Sequence, residues 1–99
     1  MNKQIKDLIE YPKEGVLSKS IHKNNKADLT LFCMARGSVI SEHTSTKHAS
    51  VYIVEGNGEF KLSGKSIKMS PGTIIFMKEN EVHSLKAEEN TSFILSLIK

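Results

Sequence analysis

The sequence of 99 residues has one cysteine, no tryptophan, a single arginine and two prolines. With Cys33 as its only thiol, the chain cannot carry an intrachain disulfide framework. Its place in the apolar run Leu31-Phe32-Cys33-Met34 marks it as a small buried hydrophobe rather than a nucleophile, which would need exposure and a neighbouring base. Of the fourteen basic residues only Arg36 is arginine, and the lysines are scattered among eleven acids for a formal charge of +3. Guanine and phosphate forks are built from arginine, and single-strand grooves from basic stripes with stacking aromatics, so nucleic acid is not an expected partner. The N-terminal Met-Asn-Lys-Gln-Ile-Lys-Asp lacks an apolar core, and no run approaches the length of a membrane span. The expectation is a protein of the cytoplasm with no membrane partner.

What the chain does contain is short strands and turns. Ile5, Leu8 and Ile9 are spaced for one or two helical turns, so residues 1–14 read as a short helix or an extended arm that ends at Pro12 and Gly15. Residues 15–99 read as one β domain. Strands are expected at Val16–Ile21, Leu29–Ala35, Ser38–Ser41, Ser50–Val54, Glu59–Leu62, Ser66–Met69, Thr73–Met77, Val82–Leu85 and Thr91–Ile98. Polar turns separate them: His22–Lys26, Glu55-Gly56-Asn57-Gly58, Ser63-Gly64-Lys65, Pro71-Gly72 and Lys78–Glu81. Eight or nine such strands imply an all-β fold, a small double-sheet barrel or jelly roll.

Two blocks carry chemistry. The first runs from Gly37 through Ser41-Glu42-His43-Thr44-Ser45 and His48-Ala49 to Gly56-Asn57-Gly58; the second runs from Ser70-Pro71-Gly72 to Val82-His83. Together they resemble the two motifs of the cupin superfamily, over roughly residues 15–98. In the small single-domain members the first motif has a glycine, a His-x-His pair, a glutamate and a second glycine, and the second motif has a glycine and a histidine. Gly37, His43, Gly56, Gly72 and His83 stand at matching positions. The resemblance implies a barrel whose inward imidazoles and carboxylate hold one divalent transition metal, such as iron, nickel, manganese, copper or zinc. It also implies pairing into a homodimer.

The chain departs from that pattern at three positions. Ser45 replaces the second histidine of the pair, Ala49 stands at the glutamate position, and Lys78 replaces the proline usual at the end of the second motif's central strand. His43 and His83 are therefore the candidate metal ligands, and His48 is the candidate third. Period-two alternation sends His48 outward unless a bulge reverses it, and Glu42 beside His43 has the same parity problem. The alternative is that the histidines are polar groups lining a cavity with no metal bound. Ser45, Tyr52 and Phe76 are candidate pocket-lining residues; Tyr52, Phe76 and Met77 read either as core packing, the preferred reading, or as the apolar wall of the pocket. His22 lies outside both blocks and reads as a surface residue. The preferred function is binding of a divalent metal, a small organic ligand or both inside the barrel, without assured catalysis. The alternatives are a metal-dependent oxygenase or isomerase acting on a small polar molecule, and a metal-free interaction or regulatory module. Catalytic residues are not assigned.

Overall fold

Nine strands and one helical turn make up the computed structural model, which describes residues 2–99. In chain order the elements are α1 (Ile5–Leu8), β1 (Val16–Lys23), β2 (Ala27–Met34), β3 (Val39–His43), β4 (His48–Glu55), β5 (Gly58–Leu62), β6 (Lys65–Met69), β7 (Ile74–Met77), β8 (His83–Ala87) and β9 (Thr91–Ile98). Every pairing is antiparallel, in a five-stranded sheet β1-β2-β9-β4-β7 and a four-stranded sheet β3-β8-β5-β6. The two sheets face each other across one core, the double-sheet jelly roll expected from the sequence.

Alternation along the strands builds that core. In β4 the inward row Ala49, Val51 and Ile53 is almost completely buried, and across the gap Phe60, Met69 and Leu85 face it from the other sheet. Each large apolar side chain buried this way contributes about 1.5–3 kcal/mol relative to exposure. The turns supply the corners. Gly56 sits at φ +114, and a Cβ there would collide with Asn90 and Thr91, so only glycine fits. Gly72 sits at φ +88 in open space, where the left-handed backbone alone favours glycine.

Eight of the nine strands differ from the sequence expectation by one or two residues at an end. β1 runs on through His22 to Lys23, and the turn tightens to Asn24–Lys26 because the Asn24 Oδ1 accepts hydrogen bonds from the backbone N–H groups of Lys26 and Ala27. β4 begins at His48, where its ladder to β9 starts. β8 starts at His83, one residue after the expected position, and runs to Ala87. The N-terminal segment forms a single helical turn with no side-chain cap and touches β1 on either side of that turn. It is tied there by Lys3 Nζ to the Ile21 carbonyl and by a Glu10–Lys19 ion pair at 2.9 Å. Burial of the Tyr11 ring raises its phenol pKa above the usual 10.0. The exposed ion pair itself contributes little.

Candidate functional site

His43 ends β3 and His83 begins β8, and the two strands pair at that point. The pairing contains an irregularity. Ile40 is opposite Leu85 and His43 is opposite His83, so three steps on β3 match two on β8. In a regular strand, residues three apart face opposite sides of a sheet. The extra residue forms a bulge that turns Ile40 and His43 to the same side, and both line one pocket with His83 and Leu85. The imidazoles touch in a T-shaped arrangement, with centroids 3.9 Å apart and planes at 64°. The ring of Phe60 lies parallel to that of His83 at 6.0 Å.

The backbone fixes both rings. Nδ1 of His43 is 2.8 Å from the Ser41 carbonyl, and Nδ1 of His83 is 3.0 Å from the Glu81 carbonyl. A carbonyl oxygen only accepts, so each Nδ1 carries the proton and each Nε2 presents a lone pair. Among the described residues neither Nε2 has a hydrogen-bond partner. His83 is 6% exposed, whereas His43 is open to solvent. Burial pushes the His83 pKa below 6.5, and the neighbouring His43 adds to that push against the opposing effect of Glu81. Glu81 shapes the approach to β8. Its carboxylate accepts from the Lys78 backbone N–H at 2.8 Å and from the Ser63 hydroxyl at 3.0 Å, contacts that lower its pKa. Lys78 is the position where the resemblance leads one to expect proline, and a proline would have no N–H to donate there.

Behind the histidines lies a cavity of about 80 Å³ whose wall is apolar, with Phe32, Val51, Phe60, Met77, Leu85 and Phe93 its main contributors. Its lining contains no lysine, arginine or carboxylate. A larger, shallow hollow beside Asn57, Glu59, Ser66 and Lys68 is polar and open. Its Glu59 carboxylate is already occupied by the Ser66 hydroxyl at 2.6 Å.

The other candidates from the sequence lie elsewhere. His48 is on the outer face of β4, where the ladder to β9 is regular from His48 to Ile53, and its ring stacks on Phe76 at 6.0 Å. Glu42 is exposed on β3. Ser45, Tyr52 and Phe76 do not line the cavity, which corrects the expectation for all three. Ser45 belongs to the β3–β4 turn, where its hydroxyl accepts from the Lys47 N–H and its carbonyl from the Asn80 N–H. Tyr52 and Phe76 are outward members of β4 and β7, 45% and 55% exposed, and so belong neither to the pocket nor to the core. Met77, read from the sequence as core or pocket wall, is both, whereas the wall residues Phe60 and Phe93 were not singled out beforehand. Their signal is parity: Met77 faces Ala49 and Phe93 faces Ile53, both on the inward row of β4.

The profile of the Cupin domain family matches residues 30–98. The chain belongs to the cupin family. Among solved structures it is similar to a conserved protein of unknown function from Streptococcus pyogenes. That match has a TM-score of 0.89 and 22% identity, covering 100% of this chain and 87% of that one. A cupin 2 conserved barrel domain protein from Leptotrichia buccalis superposes with a TM-score of 0.87 at 24% identity, over 95% of this chain and 46% of the other. KdgF from a Halomonas species gives a TM-score of 0.79 at 24% identity, over 86% and 80%. At these identities the likeness is one of fold. No curated protein matches the chain.

Cupins commonly hold a metal, and the donors of this one can be tested against that role. The two Nε2 lone pairs with their Nδ1–H groups on carbonyls have the outer-sphere arrangement that metal-bound histidines use. The count does not fit. Metal centres rest on three or more protein ligands, and among the described residues no three His, Cys, Asp or Glu side chains converge. Ala49, at the position of the missing carboxylate, does face inward and is fully buried, but it offers no donor. The residues present do not make a resident metal centre.

Proposed function

We propose that this cupin binds a small, largely apolar molecule inside its barrel, with His43 and His83 as the polar groups that recognise it. The observation that carries this reading is an apolar cavity whose only polar lining is a pair of imidazoles with pinned Nδ1 and free Nε2 atoms. Catalysis is not assigned, because the site offers neither a full ligand set nor a charged acid–base partner. Titration of 15N-labelled protein with a panel of small organic fragments tests the reading. Amide shifts should cluster around Phe60, Leu85 and His83 and disappear in the His43→Ala/His83→Ala variant. Shifts scattered over the outer surface, or unchanged in that variant, would overturn it.

We further propose that two copies pair through the outer face of the five-stranded sheet. Ile74 (71% exposed), Phe76, Tyr52 and Ile98 (57%) crowd that face and form an apolar patch that a second copy would cover. Light scattering should give twice the 11.0 kDa chain mass for the native protein and a monomer for Ile74→Asp. A native monomer would remove the pairing. Among the described residues no helix is long and apolar enough to cross a membrane. The single buried, unpaired thiol of Cys33 is in keeping with the reducing cytoplasm, where we place the protein.

A further inference from the structure

The cavity and its two histidines define more than a shape. Both Nδ1–H groups are spent on the carbonyls of Ser41 and Glu81, so the polar end of the cavity is made of two hydrogen-bond acceptors and no donor. The lining has no cation to receive an anion and no carboxylate to receive a cation. A ligand that brought only lone pairs would face the lone pairs of both rings, and a carboxylate would also lose its hydration without a counter-charge. A neutral group with two N–H donors can satisfy both acceptors. The apolar space beyond, about 80 Å³, equals the share of about three water molecules and suits a branched body of a few carbons.

We propose that the site selects neutral small molecules that end in a paired N–H donor, the primary carboxamides, over the matching carboxylates, and that it does so without metal. This rests on the reading of the cavity as a small-molecule site and assigns the class of head group that enters it. The proposal differs from a metal-centred pocket in sign, since a bound cation would hold the anionic carboxylate more tightly than the neutral amide.

Two nearly isosteric probes separate these cases. Full-length protein freed of metal with a chelator is titrated at about pH 8, well above the ordinary histidine pKa, with isobutyramide and separately with isobutyrate. Binding is followed through the backbone amide signals of Phe60, Leu85 and Phe93. Isobutyramide should bind roughly tenfold or more tightly than isobutyrate. The preference should vanish in His43→Phe/His83→Phe, which keeps ring volume and removes both acceptors. If that variant does not fold, the wild-type pair of titrations still decides the matter. Equal or tighter binding of isobutyrate would overturn the head-group assignment and leave the small-molecule reading standing. Binding of isobutyrate only after zinc is added would overturn it in favour of a metal-centred site. No binding of either probe, with or without zinc, would take the pocket reading down as well.

Discussion

β3 and β4 each deliver a histidine, five residues apart in sequence, and the two end on opposite sides of the protein wall. His43, though open to solvent, turns to the cavity side because β3 carries one extra residue against β8 between Ile40 and His43. His48 stays outside because β4 pairs with β9 without interruption from His48 to Ile53. The side chains are identical, and the register alone decides which one meets a ligand. A count of histidines between the two motif glycines would give both the same standing, whereas the ladder separates them.

The largest expected effect lies in the regularity of β4. Its inward row is locked against the facing sheet, so Ile53→Ala, which opens a hole beside Phe93, should cost about 2–5 kcal/mol of unfolding free energy. Tyr52→Ala, one residue away on the outer face, should cost much less in the isolated chain. Denaturant titration of both variants measures the difference. Similar losses at the two positions would mean that the outer face is packed as tightly as the inner one, and the contrast between the two sides of β4 would fail.

The sequence foresaw the strands well because their signals are local. β-Branched and aromatic residues dominate Ser50-Val51-Tyr52-Ile53-Val54, Gly56 and Gly72 mark corners, and the spacing of the two blocks identified the family. His43 and His83 could be placed by that spacing; period two pointed His48 outward, and its place on the outer face removes it as the candidate third ligand. The bulge could not be seen, because nothing in Ser41-Glu42 distinguishes a bulged strand from a regular one. It arises from how β3 meets a strand forty residues later. Tyr52 and Phe76 were misplaced for a related reason. Large aromatic side chains suggest the interior, but they share β4 and β7 with Val51 and Met77, and only one parity can face inward. The tie between Lys78 and Glu81 was equally hidden, since it uses a backbone donor that no residue type announces.

A second way to sharpen the comparison is to put a ligand where the register points inward. Ala49 faces the core and His48 does not, so Ala49→Glu should add the missing carboxylate on the histidine side, and His48→Glu should add nothing. The buried carboxylate of Ala49→Glu destabilises the metal-free protein. Zinc at about a hundredfold over its dissociation constant should then restore about 2–3 kcal/mol. Wild type and His48→Glu should gain less than about 1 kcal/mol under the same conditions. Thermal melts with and without zinc read this directly. A strong zinc response in the wild type would show that two imidazoles suffice, and the conclusion drawn from the ligand count would be wrong.

The smallest effect separates the histidines by pH. His83 is held below its ordinary value of 6.5 mainly by burial, so just below that pH the unfolded chain binds more protons than the folded one. Stability from this group is therefore present above pH 6.5 and is lost as the pH falls through 6.5 to the lower folded value. Replacing His83 with phenylalanine removes the group that resists protonation and should flatten the stability profile over that interval. His48 is exposed and stacked only on Phe76, so His48→Ala should change stability by no more than about 0.5 kcal/mol. Urea titrations across the interval for the two variants and the native chain would show it. If His83→Phe left the profile as steep as in the native chain, or His48→Ala cost as much stability as a buried residue, the separation of the inner from the outer histidine by register would lose its energetic meaning.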